Sequence, residues 1–180
     1  DEPTFENTIL AYDNAGQMLA QTELIFGMLC AAETNERMQA LQEQVMPLLS
    51  AHRDKIRLDE KLFARVKDVY DRRASLGLDA EQSRLLRKTY DAFVRSGALL
   101  DAGQKARLKE INGELSLTAV KFGNNILAEN NNFALELTAD DLEGLPSGVR
   151  DAAREKAQAM GKGDKWVFTL HKPSLIPFLT

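Results

Sequence analysis

Few side chains in this sequence have the chemistry for catalysis. Two histidines, His52 and His171, and one cysteine, Cys30, are its whole complement of imidazole and thiol groups. A metalloprotease helix needs two histidines one turn apart with a glutamate between them, the HExxH pattern. His52 is followed by Arg53 and His171 by Lys172, so neither starts such a motif. His52 falls at a helix stripe position and is expected to pack or cap there. His171 follows an expected strand and is read as a plain loop residue that could line a cleft. Cys30 closes the apolar run 24–32, which predicts a buried, inert thiol, since a reactive cysteine needs an electropositive, accessible place. Asp140, Asp141 and Glu143 lack calcium-loop spacing and are read as acids complementing a helix N-terminus. Asn124, Asn125, Asn130, Asn131 and Asn132 suit a helix terminus with local hydrogen bonds. No phosphate-binding GxxxxGK[ST], no GxSxG and no GxGxxG occurs, and Gly161–Lys162–Gly163 reads as a turn. No nucleophile, base and orienting group assemble, so no catalytic or metal residue is assigned and the substrate-contacting residues are left open.

The elements that carry these residues come from an ordinary globular composition. The chain has 180 residues, 44% hydrophobic and 28% charged. A chain of this size buries about 70% of its unfolded surface, enough for a core without disulfide or metal staples. One cysteine excludes an intrachain disulfide framework and multi-cysteine metal sites. The longest strongly apolar stretch, Leu24 to Ala32, is far short of the roughly 20 residues a spanning helix needs; no membrane partner is expected. The formal net charge of −4 argues against nucleic acid. It is unevenly spread: residues 1–50 hold eight acids against one base, and residues 51–110 fifteen bases against ten acids. Bases and acids interleave within 51–110, as on solvated helix faces.

Hydrophobic spacing predicts a mainly α fold: an antiparallel bundle of about five long helices over 1–132, then a small two-strand plus helix α+β piece over 133–180. Phe5, Ile9, Tyr12, Gly16, Leu19, Phe26 and Cys30 recur at helical steps, started at Pro3–Thr4 and interrupted by Glu23. Leu24, Ile25 and Met28 add a second apolar face, so the C-terminal half of this first helix is expected to be the more deeply covered. Thr34 is expected to cap a second helix with Met38, Leu41, Val45, Leu48 and His52 on one face, kinked before Pro47. Asp59 caps a third, carrying Leu62, Phe63, Val66, Val69 and Tyr70 and ending at Gly77. Asp79 with Gln82 and Asp101 with Gln104 make capping-box starts for a fourth helix (Leu86, Tyr90, Phe93, Gly97) and a fifth (Leu108, Ile111, Leu115, Ala119, Phe122, Ile126) that ends in the asparagine run. Residues 133–137 and 166–170 read as strands that pair with each other, with a helix between them capped by Ser147. The apolar end, Ser174 to Thr180, and the abrupt opening lead us to expect a piece of a longer protein.

Several segments, in order, resemble one family. Pro3–Thr4–Phe5–Glu6–Asn7–Thr8 is similar to the PTFENT signature of the thimet-oligopeptidase-like zinc metallopeptidases. The resemblance continues through Ala51–His52, Leu62–Phe63–Ala64–Arg65–Val66, Leu76–Gly77–Leu78–Asp79, Phe93–Val94–Arg95–Ser96–Gly97–Ala98, Asp141–Leu142–Glu143–Gly144–Leu145–Pro146 and Pro173–Ser174–Leu175–Ile176–Pro177–Phe178. Within the family the FVRSGALL-type segment looks most like bacterial peptidyl-dipeptidase, with oligopeptidase A as near neighbour. The resemblance implies large helical enzymes with a channel between two halves that admits short unfolded peptides. It implies zinc ligands from an HExxH helix and a downstream Glu in the second half, the HExxH Glu acting as general base on zinc-bound water. None of those residues has a counterpart here. The resemblance therefore implies a non-catalytic channel-wall domain, without zinc of its own, whose partners are the catalytic half of the same polypeptide and the peptide substrate. The family carries residues before PTFENT that are absent here, so the apolar faces of the first helix are also expected to be partly exposed. A single thiol and the family's habit point to the cytoplasm, or to the periplasm if an export signal has been removed. The alternative is a stand-alone helical interaction module; a basic nucleic-acid surface over 51–110 is a third reading.

Overall fold

The computed structural model describes residues 1–179. Thr180, the last residue of the apolar end, and the side chain of Phe178 lie outside the described residues. The fold is mainly helical with a small α+β piece, as the spacing predicted, and divides into two compact units, Asp1–Lys121 and Phe122–Thr180.

The first unit opens as expected at Thr4, but not with one long helix. Thr4 and Asn7 form a reciprocal cap: the Thr4 N–H donates to Asn7 Oδ1 at 2.8 Å and the Asn7 N–H to Thr4 Oγ1 at 3.1 Å. A π-helical turn, Phe5–Leu10, runs into a short helix α1, Ala11–Asp13. Gly16 then sits at φ +77° and starts α2, Gln17–Ala32. The expected single helix is therefore broken, because the residue read as a small stripe position serves as a left-handed break, which glycine adopts without steric cost.

Helix α3, Glu36–Arg57, is capped by Asn35, whose side chain accepts from the Met38 N–H at 3.0 Å. The expected cap was Thr34, one residue earlier; Asn is at least as good a cap as Thr, and two adjacent candidates cannot be ranked by type alone. The helix runs through Pro47. Asp59 caps α4, Glu60–Asp71, and Asp79 with Gln82 boxes α5, Ala80–Arg95, both as predicted. Asp101 and Gln104 exchange the same pair of bonds at the start of α6, Ala102–Asn132.

The core of this unit joins the opening turn to α4 and α5: Phe5, Ile9, Phe63, Val66, Val69, Leu86, Phe93 and Ala98 are buried together. Its aromatic rings form a ladder, with centroids 5.5 Å apart for Tyr12–Phe93, 6.1 Å for Phe93–Phe63, 5.9 Å for Phe63–Tyr90 and 3.9 Å for Tyr90–Tyr70. Such contacts add to the burial of the rings themselves. Gly97, read as a stripe residue, instead ends α5 at φ +92°.

In the second unit, β1, Leu135–Leu137, pairs antiparallel with β2, Trp166–Phe168, with Leu135 opposite Phe168 and Leu137 opposite Trp166. Helix α7, Ser147–Ala159, covers the pair through Ala153, and Leu142 and Phe168 complete a small core. Its cap position is Pro146, not Ser147: proline fixes φ near the value a helix entry needs. The turn at Gly161 (φ +72°) is a Schellman stop, with Lys162 N–H on Ala157 O at 2.8 Å and Gly161 N–H on Gln158 O at 3.0 Å. Helix α8, Lys172–Leu179, carries the apolar end.

Candidate functional site

The residues singled out in the sequence are not brought together. His52 is exposed on α3 rather than packed. The face predicted for that helix is only partly covered: Met38 and Val45 are half-buried, but Leu48 is 70% exposed and Leu41 is also open. The covered side is fixed by hydrogen bonds to α6, where the Asn112 amide donates to Asp54 Oδ1 at 2.8 Å and Ser50 Oγ donates to Asn112 O at 3.4 Å. His171 lines a cavity of about 270 Å³ with Val149, Val167 and Ser174, and its carbonyl accepts from the Ser174 and Leu175 N–H groups at 2.9 Å, starting α8. Cys30 is buried on α2, and burial pushes its thiol pKa up, so it holds little thiolate at neutral pH. Asp141 accepts from the Thr138 N–H at 2.9 Å and the Thr138 hydroxyl at 2.7 Å, bonds that hold its carboxyl below the usual range. Asn130, Asn131 and Asn132 end α6. Among the described residues no three His, Cys, Asp or Glu side chains gather to hold a metal ion. No described helix is long and apolar enough to cross a membrane.

The residues that carry the family resemblance do structural work. Phe5, Thr8 and Ile9 are buried. Arg65 of α4 donates to Asn7 Oδ1 at 2.9 Å, Thr8 Oγ1 at 3.0 Å and Asp1 O at 3.0 Å. Arg72 donates to Pro3 O at 2.7 Å and pairs with Glu2 at 3.0 Å and with Asp68. The opening signature is thus sewn to α4 by Arg65 within the Leu62–Val66 signature and by Arg72 at the helix end, contacts between distant segments that no local pattern displays.

Two further features of the first unit were not legible in sequence. One is a pair of cavities flanking α3. The larger, about 730 Å³, is lined by Lys55, Glu60, Lys105 and Lys109 among others. There the buried Lys105 ammonium is held 3.1 Å from Glu60, the pairing that a buried charge requires. The smaller, about 450 Å³, is lined by Tyr12, Arg53, Arg57, Arg95, Ser96 and Asn112 with Asp54, Ile56 and Leu108. Arg57 Nη1 itself is closed to solvent and has no acceptor among the described residues; an unpaired buried donor costs about 1–3 kcal/mol, and more when charged.

The other feature is an uncovered apolar face. On α2, Met18 is 83%, Leu24 65%, Ile25 59% and Met28 63% exposed. This overturns the expectation that the C-terminal half of the first helix is deeply covered and agrees with the exposure that the resemblance implied. Glu23 does not interrupt the helix's inner side. It shares that side with half-buried Phe26 and buried Cys30 and pairs with Arg53 of α3. On α6, Leu108 of the predicted stripe is half-buried, while Ile111 and Leu115 are exposed. Exposed apolar side chains gathered on one helix, as on α2, mark an interaction site on a folded protein.

Comparison with known proteins supplies relatives. The chain is 36% identical over 178 residues to a dipeptidyl carboxypeptidase of Escherichia coli (strain K12), a match covering 98% of this chain and 26% of that protein. A dipeptidyl carboxypeptidase of Salmonella typhimurium matches at 36% over 180 residues, with the same coverage. By sequence, the chain is thus similar over almost its whole length to part of each of these peptidases. A thimet-like oligopeptidase of Dictyostelium discoideum, 24% identical over 180 residues, again matches 98% of the chain and 26% of its own length. No family model matches. The chain spans about a quarter of the length of these relatives, and across it the matched signatures build helix starts, stops and core.

Proposed function

We propose that this chain is the helical, non-catalytic wall of a longer zinc-dependent peptidyl-dipeptidase, an enzyme that releases dipeptides from the C-terminal end of short unfolded peptides. The observation that carries this reading is the length of the match: 98% of the chain aligns with dipeptidyl carboxypeptidases of which it covers 26%. The uncovered apolar face of α2 supports it, because a wall that docks on a catalytic half must present such a face. Zinc and the general base are then supplied by residues outside this chain, and the contribution of this chain is shape: it narrows access to extended peptides and excludes folded ones. The coding sequence beyond Thr180 is the first test, an HExxH motif downstream being the expected finding. The functional test compares the chain alone with the complete polypeptide on blocked tripeptides and longer peptides, with and without a chelator. The complete polypeptide is expected to release C-terminal dipeptides, to stop on chelation and to recover with zinc, while the chain alone cleaves nothing. Chelator-insensitive cleavage, or an inactive zinc-loaded complete polypeptide, defeats the proposal.

A further inference from the structure

The smaller cavity beside α3 holds charge that the peptidase reading does not use. Arg57 lies at the last turn of α3, with its guanidinium carbon 5.5 Å from the Tyr12 ring centroid and 5.1 Å from that of Phe93. Aromatic faces stabilise the cation but accept nothing along its in-plane N–H directions. Nη1 is buried and meets no acceptor among the described residues. Arg53, four residues earlier, and Arg95, at the end of α5, line the same cavity. Arg53 is engaged by Glu23, whereas Arg95 has no acidic partner among the described residues. The one acid in the wall, Asp54, already takes the Asn112 amide at 2.8 Å.

We infer that this cavity binds a small oxyanion carrying at least two negative charges, held by the in-plane N–H groups of Arg57 and Arg95. Arg57 and Arg95 line the cavity with Arg53, which Glu23 engages, beside one occupied carboxylate. Arginine presents a planar fork that matches carboxylate and phosphate oxygens, and charge-assisted hydrogen bonds of this kind are stronger than neutral ones. The volume of about 450 Å³ lies within the range of small-molecule sites. Every lining residue belongs to the first unit, so the inference stands whether or not the peptidase reading does.

Calorimetric titration of the complete polypeptide containing this chain, at fixed ionic strength, tests it with two probes, inorganic phosphate and succinate. Saturable binding of phosphate, succinate or both supports the site and tells which oxyanion it takes. Arg57→Gln and Arg95→Gln are each expected to weaken that binding about tenfold, the size of one charge-assisted hydrogen bond. Lys109→Gln, in the larger cavity, is expected to leave it unchanged. Because Arg57 packs on two core rings, Arg57→Lys, which keeps the charge but not the fork, is expected to melt like the parent and still bind weakly. Arg95 is exposed, so Arg95→Gln decides the matter even if both Arg57 variants unfold. Absence of binding by both probes overturns the site, as does equal weakening by Lys109→Gln, which would mean a diffuse field rather than a pocket.

Discussion

Gly97 shows how one residue can hold an element end in place. It follows α5 at φ +92°, with its N–H on Val94 O at 3.0 Å and the Ala98 N–H on Phe93 O at 3.1 Å. That is a Schellman stop, in which the residue after the glycine packs against the last helical turn; Ala98 and Phe93 are both buried here. A β-carbon at Gly97 would lie 2.7 Å from Leu108 Cδ2 and 2.9 Å from Leu100 Cδ1. Gly97→Ala therefore meets two costs, a backbone conformation that L side chains rarely adopt and a collision with α6. We expect it to lose about 1–3 kcal/mol, read as a lowered denaturation midpoint in urea with an unchanged slope. A neutral substitution would mean that α5 and α6 are not held together at this corner.

At the scale of elements, the strand pair of the second unit is tied to the turn after α7 by one acid. Glu136 on β1 accepts from Lys162 Nζ at 2.5 Å and Lys165 Nζ at 2.7 Å, and these bonds lower its carboxyl pKa from the ordinary 4.5 to about 2. A carboxyl lowered in the folded state contributes stability that is fully present above its unfolded value and is lost as pH falls through its folded value. The window here runs from 4.5 down to about 2. About a third of the side chain is exposed, so solvent screening keeps the effect small. A carboxyl NMR titration is expected to place Glu136 near the bottom of that window, and Glu136→Gln to flatten the acid dependence of melting across it; a midpoint at the ordinary value refutes the tie. Elements of this kind were legible in the sequence where their chemistry is local. Asp59, Asp79 with Gln82, and Asp101 with Gln104 were readable because a cap bonds its own helix three residues on. The strand pairing was readable because residues 133–137 alternate. The exposed sides of α3 and α6 were not, because a 3.6-residue period admits adjoining stripes and only the partner decides which is covered: Ser50, Asp54 and Asn112 made that choice for α3. The arginine cavity was hidden for the same reason, since Tyr12, Arg57 and Arg95 meet only once three helices have assembled.

At the scale of the molecule, a chain that aligns end to end with a quarter of its relatives carries surface that its own core does not use. Met18, Leu24, Ile25 and Met28 of α2 are each more than half exposed. In contrast, the inner side of α2 is settled by Glu23, Phe26 and Cys30. Fold and exposed face are therefore separable by mutation. Replacing Ile25 and Met28 together by Gln removes nothing from the core, so the melting of the isolated chain should stay within about 0.5 kcal/mol of the parent, while its self-association, read by sedimentation, should fall. On the proposed reading, the same change in the complete polypeptide should lower the melting temperature and the rate of dipeptide release, because it would bury two amides where a docking surface expects hydrocarbon. If the complete polypeptide tolerates the double variant while the isolated chain unfolds, α2 belongs to the internal packing of this unit, and the wall must meet the rest of the enzyme elsewhere.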